Sequence, residues 1–352
     1  MVGIVDALTA VTDAQDFRCS TFSRSIALDP IGTAGNYRGY LLIEWPLPWP
    51  RDVGEIPELA PVAAASSAAR FRLQALVAGD DPERSVICYF APRGPFTRYR
   101  RQSLRAHPDE LVEAALELLR ACAREDGVDD APSALSDPEP AARDVLICTH
   151  GRRDRCCGSL GTALVTQFGL AGRAPEGPTA VASILGAAGT TFWRTSHTGG
   201  HRFAPTAIVL PEGTVWGYLT ADTLRDILDR AGAADAVLAH YRGCAGLASP
   251  QLQVLERAVI AERGWEVLDA SRDGEVERSN DDGWSLARLR VHHTDGRTDC
   301  YEAEVGVGRT VTMPTCGDRL ATPSKAEQEL TMHALRRIDT TAESGVRDLT
   351  SS

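Results

Sequence analysis

The predicted order of strands and helices repeats on either side of one acidic segment. Residues 126–141 read DGVDDAPSALSDPEPA and lack the apolar periodicity of a helix or strand. Before it, GYLLIEWPLPWP and RSVICYFAPRG predict strands, and DELVEAALELLRACARE predicts an amphipathic helix. After it, DVLICTH predicts a strand and GSLGTALVTQFG a helix. The segment is interpreted as a linker between two α/β halves, and the shared order indicates a degenerate internal duplication.

These patterns divide the chain into five predicted parts. Residues 1–125 form a divergent N-terminal α/β domain, residues 126–141 the linker, and residues 142–247 a second α/β domain. Residues 250–340 form a small α+β module, in which a helix precedes an antiparallel sheet, and residues 341–352 a disordered tail. Three Asp-Gly steps in the module predict hairpin turns: Asp273-Gly274, Asp282-Gly283 and Asp295-Gly296.

Two further segments give local predictions. AAASSAARFRLQALVAG, residues 63–79, predicts a helix that ends near Gly79. TAIVLPEGTVWGYL, residues 206–219, predicts a hairpin around Pro211-Glu212-Gly213.

Charge and cysteine content narrow the classes of partner and the compartment. The net charge of −11 argues against nucleic acid or an anionic membrane as the main partner. No apolar run is long enough to span a bilayer, and the N-terminus lacks the basic region of a secretory signal. We therefore expect a cytoplasmic protein. In a reducing cytoplasm, nine unevenly spaced cysteines indicate metal or redox chemistry rather than a disulfide framework.

One candidate site begins in ICTHGRRDRCCG. Cys148 ends a predicted buried strand and Cys157 precedes a predicted helix, with eight residues between them. Backbone N–H groups and the dipole at a helix start stabilise a thiolate. The loop between them also carries positive charge, from Arg152, Arg153 and Arg155. This setting suits deprotonated, metal-bound sulfur.

The second part of the candidate site is SHTGGHRF. His197 and His201 have the i, i+4 spacing of a helical metal site, but Gly199 and Gly200 between them argue against a helix. A glycine loop allows positive φ and close approach of the backbone to an inorganic centre.

Two cysteines and two histidines allow two kinds of metal centre. One is a structural zinc ion and the other is a 2Fe–2S cluster with the same four ligands. The spacing differs from that of zinc fingers, whose cysteines lie close together and whose histidines lie on a helix. The residues alone favour the iron–sulfur interpretation and leave the zinc interpretation open.

The two motifs also resemble those of the sucrase/ferredoxin-like family, whose signature is C-x8-C followed by H-x-G-G-H. The resemblance covers roughly residues 17–245, including CSTFSRS and GTA near the N-terminus. It implies a thioredoxin-like fold that holds a 2Fe–2S cluster. It further implies that Cys148 and Cys157 bind the iron that stays ferric, and that His197 and His201 bind the iron that is reduced.

That ligand set has electrostatic consequences. Four thiolates would leave an oxidised cluster with a net negative charge, whereas two thiolates and two neutral imidazoles leave it neutral. The potential should therefore lie above that of four-cysteine ferredoxins, and Arg202 and the loop arginines should raise it if they lie close. The second nitrogen of each imidazole predicts electron uptake coupled to proton uptake. The expected role is an electron carrier served by an external redox protein or a small-molecule donor or acceptor, rather than a stand-alone enzyme.

Other residues have alternative interpretations. Cys156 could replace Cys157 as a ligand, and His150 is either a neighbouring proton donor or a loop histidine that faces solvent or a backbone carbonyl. Asp154 is expected to pair with an arginine of its own loop. Several other cysteines are interpreted as core thiols: Cys19, Cys88, Cys122 and Cys244. A second metal site at Cys300, Cys316 and the histidine pair His292-His293 has no supporting spacing.

Two other functional classes find little support in the sequence. A thioredoxin-like thiol oxidoreductase needs C-x-x-C, which the chain lacks. A glycoside hydrolase needs two carboxylates flanking a sugar, and the aromatic content of 6% gives no sign of a carbohydrate cleft.

Overall fold

The computed structural model describes residues 18–124, 143–168, 189–278, 283–313, 316 and 325–338. The predicted linker, residues 126–141, and the predicted tail, residues 341–352, lie outside these residues. Among the described helices, none combines the length and apolarity that crossing a membrane requires.

The first half contains four strands and three helices within its described residues. Helix α1 (Cys19–Ser25) precedes the sheet. The chain then forms β1 (Gly39–Trp45), α2 (Ala60–Ala68), β2 (Phe71–Val77), β3 (Arg84–Phe90), β4 (Arg100–Ala106) and α3 (Leu111–Ala123).

The second half follows a similar course. Strand β5 (Arg143–Cys148) leads through a loop into a π-helical turn (Cys157–Gly161) that continues as α4 (Thr162–Gln167). The later elements are β6 (Thr190–Thr195), a 3-10 turn (His201–Phe203), β7 (Ala207–Leu210), β8 (Thr214–Trp216), α5 (Ala221–Asp229) and β9 (Tyr241–Cys244). The predicted hairpin at residues 206–219 is confirmed as β7 and β8.

Both halves contribute to one mixed sheet with the strand order β4-β3-β1-β2-β6-β5-β7-β8-β9. In each half, the first strand pairs in parallel with the second and antiparallel with the third, and the fourth strand lies beyond the third. The halves meet at the antiparallel pairing of Leu76 with Thr195. The same topology therefore occurs twice in one sheet, and parallel strands β5 and β6 end at the same edge.

The helix predicted over residues 63–79 is wrong in its second part. Helix α2 ends at Ala68, and Phe71–Val77 pair in parallel with β1 along the whole strand. Arg70 turns the chain between them with a φ of 61°. Pairing with a buried neighbouring strand outweighs the helical preference of the alanine-rich segment.

The C-terminal part is an α+β module, as predicted. Helix α6 (Pro250–Arg263) packs on a four-stranded antiparallel sheet, β10 (Ser271–Arg278), β11 (Ser285–His292), β12 (Thr298–Met313) and β13 (Lys325–Ile338). Of its predicted turns, the one at Asp295-Gly296 is confirmed between β11 and β12. The turn at Asp273-Gly274 is wrong, because both residues lie inside β10. A Cβ on Gly274 would overlap the Arg288 carbonyl and the Leu252 side chain, so this glycine serves close packing.

A buried ion pair connects the module to the large sheet. Arg272 and Glu256 lie 2.7 Å apart with both side chains fully buried. The Tyr241 hydroxyl of β9 donates to Glu256 at 2.7 Å, and Arg272 exchanges backbone hydrogen bonds with Phe96 of the first half. One buried polar network thus holds three regions of the chain together.

Candidate metal centre

The loop from Cys148 to Cys157 leaves the carboxyl end of β5. The Cys148 backbone N–H donates to the Thr206 carbonyl at 3.1 Å, which anchors the start of the loop. Asp154 anchors its end, because its Oδ1 accepts from the backbone N–H groups of Cys156 at 2.8 Å and Cys157 at 3.4 Å. The side chains of Cys148 and Cys157 are completely buried.

Close backbone contacts fix the shape of this loop. A Cβ on Gly158 would overlap Gly151, and a Cβ on Gly161 would overlap the carbonyl oxygen of Cys148. Gly161 has ordinary helical dihedrals, with φ −64° and ψ −42°, so its need for glycine is purely steric. The start of α4 can therefore lie directly against the strand that carries Cys148.

The histidine loop follows β6 and is not helical, as its glycines predict. Gly199 and Gly200 have φ values of 83° and 66°, and only His201–Phe203 form a short 3-10 turn. The His197 carbonyl accepts from the side chains of Arg72 and Gln74, both in β2 of the first half. The first half thereby holds the histidine loop of the second half.

Arg242 of β9 clamps the same loop from the other side. Its guanidinium is buried and donates to the Gly199 carbonyl at 3.0 Å and to the Thr33 carbonyl at 2.7 Å. Burial, together with the charges of Arg202 and Arg72, lowers the pKa of Arg242 to about 9, so it remains protonated at neutral pH. A Cβ on Gly200 would overlap this guanidinium. The sequence contains no motif that points to Arg242.

Three of the four predicted ligands come together. Donor atoms of Cys148, Cys157 and His197 lie within 4.8 Å of one another, although the cysteines and the histidine come from separate loops. Nδ1 of His197 is buried without a hydrogen-bond partner among the described residues. Hydrogen bonds from Cys157 and from His197 hold the pKa of the Cys148 thiol well below its usual value, in spite of its burial. This donor set of soft sulfur and imidazole suits zinc or iron.

His201 lies beside this group, and its ring plane is inclined by 39° to that of His197. Its ring centroid is 6.3 Å from that of His197. Its Nδ1 lies 2.7 Å from the Asp154 carboxylate and 3.1 Å from the Cys19 sulfur. Asp154 therefore pairs with His201 rather than with an arginine of its own loop, contrary to the sequence interpretation. These contacts leave Nε2 as the nitrogen of His201 available to a metal.

The other predicted residues of the site lie around it rather than in it. His150 is buried, with Nε2 2.8 Å from the Pro50 carbonyl and its ring edge-on to Trp49. Arg153 pairs with Asp52 at 3.1 Å, and Arg152 and Arg155 are exposed. Arg202 pairs with Glu327 at 2.9 Å, so its charge is offset before it can act on the site.

Cys156 belongs to a second group that sequence reasoning missed. Donor atoms of Cys19, Asp154, Cys156 and Cys316 also lie within 4.8 Å of one another. Cys19 is buried, as a core thiol would be, but its neighbours are sulfur and carboxylate. Adjacent Cys156 and Cys157 thus face two different groups. The adjacent pair Cys156-Cys157 was the only feature of the sequence that pointed to this second group.

Comparisons with known proteins give one match. A family model described as sucrase/ferredoxin-like matches residues 30–243, which is more than half of the chain and includes both site motifs. No curated protein and no solved structure matches.

Proposed function

The chain belongs to the sucrase/ferredoxin-like family, and from this premise we propose that it is a 2Fe–2S electron-transfer protein of the cytoplasm. Cys148 and Cys157 hold one iron, and His197 and His201 hold the other. When bound, such a cluster accepts and returns one electron at a time.

The observation that carries the proposal is the convergence of three donors from the cysteine loop and the histidine loop. Donor atoms of Cys148, Cys157 and His197 lie within 4.8 Å of one another, and Nδ1 of His197 is buried without a hydrogen-bond partner among the described residues. Buried polar groups in native proteins are nearly always satisfied, so an unpartnered nitrogen on a ring beside two buried thiols supports a ligand role. A Cβ on Gly199 would meet no described atom within 4 Å, which supports room for an inorganic centre at this loop.

The position of His201 favours a two-metal centre over a single zinc ion. Tetrahedral zinc would bring all four donors within about 4 Å of one another. His201 is not part of the compact group. A two-iron centre spreads its four ligands over a longer distance than a single ion does, which agrees better with one separated histidine.

The protein's own residues would orient the ligands and control protons. Asp154 accepts from Nδ1 of His201, which fixes the tautomer and presents Nε2. Arg72 and Arg242 hold the histidine loop by its carbonyls, and burial keeps water from the two sulfurs. With the cluster bound, the rings of His197 and His201 would take up the protons that accompany electron uptake, since their basicity would depend on the charge of the iron they hold.

A cavity beside His197 supports exchange of electrons with an external partner. It measures about 420 Å³, and its charged lining is Arg51, Arg72, Arg153 and Asp52, the last of which pairs with Arg153, beside His197. Three arginines against one carboxylate leave the lining net positive, which suits a small anionic donor or acceptor or an acidic segment of a redox protein. The chain would then act as an electron carrier that receives electrons from an external reductase and passes them to an external acceptor. Neither nucleic acid nor a membrane is proposed as a partner.

Anaerobic purification followed by iron, sulfide and zinc analysis tests the proposal. We expect two irons and two sulfides per chain, visible absorption, and an electron paramagnetic resonance signal after one-electron reduction. Cys148→Ser should abolish all three, and Cys88→Ser, which removes a buried thiol of β3, should leave them intact. A colourless protein with zinc at the four ligands would overturn the proposal.

A further inference from the structure

Three cysteines from distant parts of the sequence meet beside the candidate centre. Cys19 lies in α1, Cys156 in the cysteine loop, and Cys316 after the end of β12. Their sulfurs are separated by 3.6 Å for Cys19 and Cys156, 3.1 Å for Cys156 and Cys316, and 3.2 Å for Cys316 and Cys19. The first two side chains are fully buried, and Cys316 is half-buried.

The surroundings of these sulfurs differ from those of isolated core thiols. The Asp154 carboxylate, itself buried, lies within 4.8 Å of all three. Thiols are weak donors and weak acceptors, so three sulfurs in mutual contact satisfy one another poorly. Asp154 accepts from the backbone of Cys156 and Cys157 and from His201, and a cation among the sulfurs would stabilise its buried charge further.

We propose that Cys19, Cys156, Cys316 and Asp154 form a second metal site, for one zinc ion. Three thiolates and one carboxylate are a donor set that zinc accepts in tetrahedral geometry. Zinc–sulfur bonds of about 2.3 Å separate the sulfurs by roughly 3.7 Å. The sulfurs of Cys19 and Cys156 already lie near that separation, and the two pairs with Cys316 need to move apart by about 0.5–0.6 Å. Each Asp154 oxygen has two lone pairs, so the carboxylate can bind zinc and keep its hydrogen bond to His201.

A disulfide explains the arrangement less well. It would join two of the three sulfurs at about 2.05 Å and leave the third in contact with the bond. All three separations are instead similar, and the sulfurs form a triangle with a carboxylate at its side. That symmetry fits a common central ligand.

The site would connect the C-terminal module to the histidine end of the candidate centre. Cys19 lies 3.1 Å from Nδ1 of His201, and Cys316 lies between β12 and β13. Glu327 of β13 pairs with Arg202, the residue after His201. A zinc ion here would hold α1 and Cys316 beside His201 independently of the iron.

Zinc and iron contents of matched variants test the proposal on the full chain, expressed with zinc supplementation and purified anaerobically. We expect Cys316→Ser to lose one zinc ion per chain while iron and sulfide stay unchanged. Cys300→Ser, which removes a comparably half-buried cysteine of β12, should keep both metals. Cys19→Ser should repeat the loss seen with Cys316→Ser.

Cobalt provides a second readout that does not depend on iron. A chain carrying Cys148→Ser and Cys157→Ser lacks the thiols of the first group, so thiolate-to-cobalt charge-transfer absorption would come from the second group. We expect this absorption in that chain and its loss when Cys316→Ser is added.

Zinc content that is unaffected by Cys316→Ser would overturn the proposal. So would a disulfide among the three cysteines in anaerobically purified protein, detected by alkylation and mass spectrometry. Neither result would touch the iron site, whose content is measured separately.

Discussion

The carboxylate of Asp154 accepts a hydrogen bond from Nδ1 of His201 at 2.7 Å, and the same side chain caps the backbone of Cys156 and Cys157. One buried residue thus orients a proposed histidine ligand and shapes the loop of a proposed cysteine ligand. It also belongs to the second group of candidate metal ligands and contacts His201 beside the first.

Asp154→Asn should raise the midpoint potential of the proposed cluster. The substitution keeps the size of the side chain but removes a negative charge near the end that takes up the electron. A charge change in a partly buried setting is worth about 1 kcal/mol, which corresponds to roughly 50 mV for one electron. Redox titration of both proteins, with iron and zinc contents measured in parallel, checks the shift. An unchanged or lower potential at full iron loading would contradict it.

Replacing either histidine by cysteine should preserve the cluster and lower its potential. In His197→Cys or His201→Cys, a thiolate replaces a neutral imidazole, so reduction adds an electron to a more negative centre. We expect a fall of roughly 100 mV or more. The pH dependence of the potential should also weaken, because one titrating ring is gone. If both variants kept the original spectrum and potential, neither histidine would be a ligand.

Substitutions of two glycines should distinguish a glycine required by a close contact from a glycine required by a positive φ. Gly161→Ala drives a Cβ into the carbonyl oxygen of Cys148, so we expect loss of iron and a free energy of unfolding lower by about 1–3 kcal/mol. Gly199→Ala meets no atom within 4 Å and carries only the strain of a φ of 83°. That strain costs about 1–2 kcal/mol, and iron should be retained. Iron content and urea unfolding distinguish the two, and equal iron loading would show that the close contact at Gly161 does not matter.

Removing one partner of the buried Arg272–Glu256 ion pair should lower the free energy of unfolding more than removing both charges. Arg272→Met leaves Glu256 charged and unpaired, and we expect about 3–5 kcal/mol of destabilisation in urea unfolding. Adding Glu256→Gln should recover part of this loss, because the uncompensated charge is gone and Gln still accepts from Tyr241. Arg288→Met, which breaks exposed ion pairs of β11, should have a much smaller effect. A double variant no more stable than Arg272→Met alone would argue that shape, not charge, dominates this position.

Much of the architecture follows from local patterns. Apolar runs bounded by Pro and Gly located β1, β3 and β5, and Pro-Glu-Gly located the hairpin of β7 and β8. The helix predicted up to Gly79 is wrong after Ala68 because β2 gains its stability from pairing with β1. The turn at Arg70 contains no glycine that would have indicated it in the sequence. The Asp-Gly step inside β10 failed because Gly274 is required by packing against α6 rather than by a turn.

The sequence by itself identified the four candidate ligands, because Cys148 and Cys157 form one short motif and His197 and His201 another. The structure brings the two motifs together, since Cys148 ends β5 and His197 follows β6, which pairs with β5 in parallel. Only the tertiary structure decided that Cys19 and Cys316, which are 297 positions apart, meet at Cys156. That contact brings α1 and Cys316 against the cysteine loop, and long-range packing leaves no periodic signal in a sequence.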